Sequence, residues 1–130
     1  MAFGTATVIT TVGKALVASQ VNGTTATPPK YIGIGTGATT AARTAVVGDT
    51  ALSTEVETRA TGTNTIVTTT TANDTFQTVG TITATAGRAV DEAGLFTAAS
   101  AGTMVVSATF PVVNLLTSDQ LQITGKIIIA

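Results

Sequence analysis

The strongest constraint on the fold is an alternation of apolar and polar side chains near the end of the chain. The apolar positions are Leu121, Ile123, Gly125, Ile127 and Ile129. The polar positions between them are Gln120, Gln122, Thr124 and Lys126. Successive side chains of a strand point to opposite faces of a sheet, so this pattern predicts a strand with one buried face and one solvated face.

Shorter stretches of strand-like sequence precede this one. We predict strands over 31–34, around Val56, and over 64–71, 76–85, 89–96 and 104–112, with an interruption of the fifth at Gly94. Asn73-Asp74, Ala86-Gly87 and Ser118-Asp119 are turn signals between them. Pro111 predicts an edge or a bulge, because proline cannot donate a ladder hydrogen bond.

About seven short strands without alternating helices predict an all-β fold. The expected architecture is an antiparallel β-sandwich, jelly-roll-like, with a short N-terminal helix or arm. Its core residues are predicted to be Val56, Phe76, Ile82, Phe96, Met104, Val106, Phe110, Leu121, Ile123 and Ile127.

Residues 6–21 are the segment in which apolar residues recur at helical spacing. Asn22-Gly23 predicts the C-terminal end of this helix, and residues 24–29 are predicted to form a loop. We therefore divide the chain into an N-terminal helix or arm over residues 1–30 and a β-sandwich domain over residues 31–130.

The segment from Gly35 to Thr54 is rich in glycine, alanine and threonine and has no clear periodicity. It is predicted to be a long loop with one helical turn at 49–52. Loops of this length are unusual in a compact domain and often have a functional role. We expect this loop, together with the N-terminal arm, to contact a partner.

Composition limits the chemistry that the chain can perform. It has 31 threonines, no His, Cys or Trp, and charge on 10% of its positions, whereas an average domain carries charge on roughly a quarter. Without His there is no base for the usual nucleophilic triad. We therefore expect no enzyme activity and no catalytic, cofactor or metal site.

The charge pattern also argues against nucleic acid and membrane partners. The net charge is −1, and the six basic residues are scattered along the sequence, so no basic patch would attract polyanions. We expect no signal peptide. We also expect no membrane span, because no apolar run approaches the roughly 20 residues that a span needs. So few charges protect poorly against association, which favours an oligomer or a bound partner.

Gly33-Ile34-Gly35-Thr36-Gly37 partly matches a phosphate-binding loop. The dinucleotide fingerprint needs a different spacing of its third glycine, and a P-loop needs a following Lys and Ser or Thr. We interpret the glycines as a tight turn or a place of close packing.

Several acidic residues are candidates for a site. Glu55 and Glu57 are predicted to lie on one strand face, followed by Arg59. Paired carboxylates serve glycosidases, but a solvated face with an ion pair is the simpler interpretation.

Asp91 and Glu92 are adjacent in a predicted strand and are expected to point to opposite faces, so they do not form an obvious pair. Asn73, Asp74 and Asp119 lie at turns, where such side chains bind their own backbone. Calcium-loop spacing is absent.

Threonines alternate along two predicted strands. The rows are Thr61, Thr63 and Thr65, and Thr81, Thr83 and Thr85. Such rows resemble those of ice-binding proteins, although no fixed period repeats. Threonine also suits strands in general. A module that binds ice or carbohydrate remains an alternative function from a different class.

Four segments of the chain resemble small structural proteins of the virions of tailed bacteriophages. They are Lys30 to Gly37, Asp49 to Glu55, Asn73 to Gly80, and Glu92 to Phe96. The resemblance extends from about Lys14 to Ile129. The last segment, Glu92-Ala93-Gly94-Leu95-Phe96, also resembles part of the attachment domains of phage tail fibres.

The resemblance implies a virion structural protein. Its expected function is that of a capsid decoration or cement protein that binds and stabilises the head shell, often as a trimer that clamps neighbouring subunits of the major capsid protein. A tail, neck or fibre-attachment component is the alternative within the same class. The expected location is the virion, assembled in the host cytoplasm.

Overall fold

The computed structural model describes residues 6–24, 27–41 and 43–129, which form eight strands and one helix. The strands are β1 (Ala6–Ile9), β2 (Tyr31–Gly35), β3 (Glu55–Thr61), β4 (Thr63–Val67), β5 (Thr75–Thr83), β6 (Arg88–Phe96), β7 (Met104–Leu115) and β8 (Gln120–Ile128). The helix α1 is Thr11–Val21. No helix formed by these residues is long and apolar enough to cross a membrane.

The strands build two antiparallel sheets that pack on each other. One has the order β1-β7-β6-β2-β3 and the other the order β4-β5-β8. The prediction of an antiparallel β-sandwich with a short N-terminal helix is confirmed. The eight strands divide into five and three, so the two layers differ in width.

The two sheets are joined closely along one side. Gly62 alone connects β3 to β4, and its N–H donates to the carbonyl oxygen of Lys30 at 2.6 Å. A Cβ atom at Gly62 would collide with the side chain of Thr78. Gly62 joins the edge strand β3 of the larger sheet to the edge strand β4 of the smaller one. The smaller sheet has two strands fewer, so it ends at β8 before the larger sheet ends at β1.

The main core lies between the sheets, and eight of the ten predicted members belong to it. Of these, Ile82, Val106, Leu121, Ile123 and Ile127 are buried, whereas Phe96 and Met104 are buried in a separate cluster with Leu52 of the β2–β3 loop. The other three, Val56, Phe76 and Phe110, are partly buried and pack against the core. Ile129, predicted on the buried face of the last strand, is 62% exposed because β8 ends at Ile128.

Strand β6 is continuous, so the interruption predicted at Gly94 is wrong. A Cβ atom at Gly94 would lie 2.8 Å from Phe96 Cε2, so this glycine provides space for the aromatic ring. The register of β6 with β7 shifts between Val90 and Glu92, and again between Leu95 and Phe96. At the first shift, residues 110–112 of β7 have no partner on β6, which confirms the bulge predicted at Pro111.

The N-terminal segment differs from its prediction. Residues 6–9 are not helical, because they form β1 and pair with β7. The predicted helix end at Asn22-Gly23 is confirmed, with Asn22 as the C-cap and Gly23 at a φ of 75°. β1 is a strand of the larger sheet, and α1 follows it directly and contacts β7. Residues 1–5, 25 and 26 lie outside the described residues.

Thr10 separates the strand from the helix. Its hydroxyl accepts the N–H of Gly13 at 3.0 Å, as an N-cap does, and donates to the carbonyl oxygen of Met104 at 2.6 Å. Its backbone N–H donates to the carbonyl oxygen of Val105 at 2.9 Å. A single buried residue therefore starts the helix and attaches it to β7.

We expect Thr10→Ala to lower the free energy of unfolding by about 2 kcal/mol, because it removes the N-cap and leaves a buried carbonyl without its donor. Thr10→Ser keeps the hydroxyl and should lose less than half as much. Urea unfolding monitored by circular dichroism measures both values. Equal losses in the two variants would contradict this role of the hydroxyl.

Candidate functional site

The loop between β2 and β3, residues 36–54, lies across the larger sheet on the face opposite the core; we call it the strap. Ile32 and Ile34 of β2 are buried in the core, and Gly33 and Gly35 alternate with them on the strap side. The described part of the strap contains no strand or helix, as predicted. The helical turn predicted at 49–52 is wrong, and the chain turns instead where Ala41 N–H donates to the carbonyl oxygen of Gly37.

The glycines of β2 make room for side chains on this face. A Cβ atom at Gly35 would lie 2.8 Å from both Glu92 Cγ and the carbonyl oxygen of Thr54. Gly37, at the start of the strap, has a φ of +96°, which favours glycine. The interpretation of the glycine motif as a tight turn with close packing is confirmed.

Glu92 of β6 is completely buried beneath the strap. Its carboxylate accepts Arg43 Nη1 at 2.9 Å and the N–H of Thr54 at 3.0 Å. Arg43 Nη2 also donates to Asp49 Oδ2 at 2.8 Å, and the Ser107 hydroxyl donates to the same oxygen at 2.7 Å. The Arg43–Glu92 ion pair and the hydrogen bond from Thr54 therefore attach the strap to β6, and the hydrogen bond from Ser107 to Asp49 attaches it to β7.

Asp91 holds the other end of the strap. Its carboxylate accepts the N–H of Ala38 at 3.1 Å and of Thr39 at 2.7 Å, and the residue is 3% exposed. Asp91 and Glu92 were expected to point to opposite faces, but both carboxylates bind the strap, because the register of β6 with β7 shifts between Val90 and Glu92. Each of them fixes a different part of the strap.

Glu55 and Glu57 do not share a site. Between Ile32 and Ile34 the register of β2 with β3 shifts, and Glu57 has a φ of 62°. This bulge breaks the alternation on which their common face was predicted. Arg59 Nη2 binds Glu55 at 2.9 Å, so each carboxylate has its own cation.

Glu57 is bound by Arg88 Nε at 2.8 Å and by the Thr85 hydroxyl at 2.7 Å. These two donors lower the pKa of Glu57 below its ordinary value, Arg88 having the larger effect. A carboxylate paired in this way stays ionised, so the arrangement does not supply the protonated acid that a glycosidase needs.

The turn carboxylates bind their own backbone, as predicted. Asp74 accepts the N–H groups of Thr71, Thr69 and Thr70, at 2.7 to 2.8 Å, and the Thr75 hydroxyl. These donors, the N–H of Thr71 first, hold the pKa of Asp74 far below its usual range. Within the described residues no three side chains of His, Cys, Asp or Glu could together hold a metal ion.

The threonine rows do not form one array. Gly62 separates Thr61, in the larger sheet, from Thr63 and Thr65 in the smaller one. Across the strands, Thr63 lies opposite Val79 and Thr65 opposite Gln77. Because threonines do not face each other on neighbouring strands, the outer face of the smaller sheet lacks a two-dimensional threonine lattice.

Apolar side chains remain exposed at two places around α1. Val12, Val46 and Val47 are 43%, 54% and 47% exposed, and we call them the valine patch. On another side of the helix, Leu16, Val17, Val21, Phe76, Ile127 and Ile129 line an apolar groove of about 220 Å³. The sequence prediction named the N-terminal segment and the long loop as contacts but missed the groove, because its walls come from strands far apart in sequence.

No family model, no curated protein and no solved structure matches this chain.

We expect Glu92→Gln to lower the free energy of unfolding by about 2–3 kcal/mol, because Arg43 then loses a buried charged acceptor. Hydrogen exchange should show lost protection across residues 36–54. Glu55→Gln is the matched control, since its ion pair is partly exposed and should cost less than about 1 kcal/mol. Similar losses in both variants would mean that the strap does not depend on Glu92.

Asp74 should make the stability of the fold depend on pH in the acidic range. Its pKa in the folded protein is lowered from the ordinary value of 3.8, so its contribution is present above that value and is lost as the pH falls below it. We expect Asp74→Asn to melt at a lower temperature than the wild type at neutral pH, by a margin that narrows as the pH falls from about 4 towards 2. Melting curves across this range measure the difference, and a constant offset at every pH would contradict the prediction.

Proposed function

We propose that this chain is a structural protein of a bacteriophage virion that binds the head shell as a decoration or cement protein. Two kinds of observation support the proposal. Four segments of the sequence resemble small virion proteins. The geometry brings together the two segments that were expected to contact a partner, and it leaves apolar side chains exposed on both.

The observation that carries the proposal is the junction between α1 and the strap. The N–H of Thr11 donates to the carbonyl oxygen of Val47 at 2.7 Å, and the Thr11 hydroxyl donates to the same oxygen at 3.1 Å. Val12 follows on the helix, and Val46 and Val47 belong to the strap. The valine patch is thus formed by two elements that are each fixed to the larger sheet.

A fixed apolar patch suits a protein that binds in many copies. Each square ångström of apolar surface removed from water contributes roughly 25 cal/mol before the cost of association. A small patch therefore binds weakly by itself. Where the protein engages several sites at once, as a trimer on a lattice would, effective concentration turns weak sites into firm binding.

The tail alternative rests on the segment Glu92 to Phe96. In the fold this segment lies within β6, and all five of its residues are buried. The segment is therefore buried and offers no surface to a partner. The resemblance of this segment concerns the fold, and it does not favour a tail position over a head position.

The first experiment is the copy number in purified virions, measured by quantitative mass spectrometry against the major capsid protein. We expect a ratio near that of the capsid protein. A few copies per particle would favour a neck or tail component instead of a head protein. Absence from the particle would refute the proposal.

The binding surface is tested by the double variant Val46→Asp and Val47→Asp. We expect its affinity for particles lacking this protein to fall at least about tenfold, because charges replace apolar contacts. Leu116→Asp is the control, since Leu116 is 72% exposed at the other end of β7. Cosedimentation measures both, and equal binding by the double variant and the control would exclude the valine patch.

A further inference from the structure

The C-terminal end of α1 presents an asparagine followed directly by a glycine. Asn22 is the C-cap of the helix, and Gly23 follows it with a φ of 75°. Both residues are exposed, and a Cβ atom at Gly23 would meet nothing within 4 Å. In such a pair the peptide nitrogen of the glycine can attack the side-chain amide, because no side chain on the glycine hinders its approach.

The side chain of Asn22 is turned towards the nitrogen that would attack it. Its Nδ2 donates to the hydroxyl oxygen of Thr24 at 3.4 Å. Because Thr24 follows Gly23 in the chain, this contact keeps the amide on the C-terminal side of Asn22, where the Gly23 nitrogen lies. The two reacting groups are therefore neighbours in the folded protein.

Hydrogen bonds at the helix end restrain the reaction without blocking it. The N–H of Gly23 donates to the carbonyl oxygen of Gln20 at 3.1 Å, and Asn22 has a ψ of 0°. Ring closure requires this N–H to be released and ψ to change. Within α1, all of which is described, Gly13 alone is buried. The last turn can therefore open locally while the rest of the fold stays intact.

Asn64 is held in place by both ends of its amide. Its Nδ2 donates to the carbonyl oxygen of Pro29 at 3.2 Å, and its Oδ1 accepts the Thr78 hydroxyl at 2.6 Å. It lies in β4, and the residue that follows it is the β-branched Thr65. The amide is thus fixed, and its neighbour hinders attack.

Asn73 and Asn114 complete the asparagines of the chain. Asn73 precedes Asp74, whose N–H donates to the carbonyl oxygen of Thr71 at 3.1 Å. Asn114 lies in β7 and precedes the buried Leu115. Each is followed by a residue with a side chain, so Asn22 alone combines an open neighbour with a helix end that can fray.

We propose that Asn22 is a modification site, at which the chain loses an amide group and gains a carboxylate. The Gly23 nitrogen attacks Asn22 Cγ and forms a C–N bond. Nδ2 leaves as ammonia and takes the proton of the Gly23 nitrogen. Water then opens the resulting succinimide ring at one of its two carbonyl carbons, which gives aspartate or isoaspartate. Water is the single co-reactant of the whole sequence.

Either product weakens the last turn of α1. A carboxylate at the C-terminal end of a helix is disfavoured by the helix dipole. Isoaspartate also adds a methylene group to the main chain, which displaces the N–H of Gly23 from its acceptor. Val17 and Val21 of this turn line the apolar groove, so the modification loosens one wall of it. Accumulation with the age of a virus particle rests on the proposed function, whereas the reaction does not.

Peptide mapping of the full chain tests the proposal. The protein is incubated in mildly alkaline buffer and digested, and mass spectrometry with chromatography separates asparagine, aspartate and isoaspartate at each position. We expect Asn22 to convert at least about tenfold faster than the other three asparagines. Urea should accelerate the reaction further, because unfolding releases the Gly23 nitrogen from Gln20. A rate at Asn22 no higher than at the other asparagines would overturn the proposal.

Two variants separate the chemistry from the fold. Asn22→Gln should give no product at this position on the same timescale, because its ring closure is much slower. Gly23→Ser should slow the conversion in urea as well, where strain in the folded state has no influence, and an unchanged rate would contradict the mechanism. Hydrogen exchange of the converted protein should be faster over residues 17–24, and unchanged exchange would refute the loosening of the groove. These measurements need no particle, so their failure is distinguishable from failure of the virion proposal.

Discussion

The buried carboxylate of Glu92 is the constraint on which the outer half of the molecule depends. A charge without solvent must be matched by a cation and by hydrogen-bond donors, or it destabilises the fold by several kcal/mol. Arg43 and the N–H of Thr54 provide them, and both belong to the strap. Gly35 provides the space. An irregular loop is thereby held on the sheet, and its valines are placed next to α1.

The same use of charge extends through the protein. Acidic groups and arginines hold loops, turns and the bulge of β3, so most of the few charges have partners within the chain. The net charge of −1 therefore says little about the surface, because most of the charged groups are already paired within the chain. What remains for a partner is a neutral surface with apolar patches and three lysines. Such a surface favours short-range packing over long-range attraction.

Periodicity predicted the parts of the fold in which one strand face is buried. It succeeded for β8, whose alternation matches its burial. It failed at residues 6–9, where Val8, Ile9 and Val12 suit a helix, because pairing with β7 decides their conformation. It also missed the anchors of the strap, since their partners are backbone N–H groups and the distant side chain of Arg43. The adjacent acids Asp91 and Glu92, inside the otherwise apolar strand β6, are the sequence feature that indicates buried hydrogen-bond partners.

The two sides of the sandwich are built for opposite purposes. At the Gly62 corner the chain closes the layers, and β3 is protected by a bulge and charges. On the other side the smaller sheet is two strands short, and its last strand is regular and almost uncharged. The two sides of the sandwich therefore differ in strand number, in charge and in regularity.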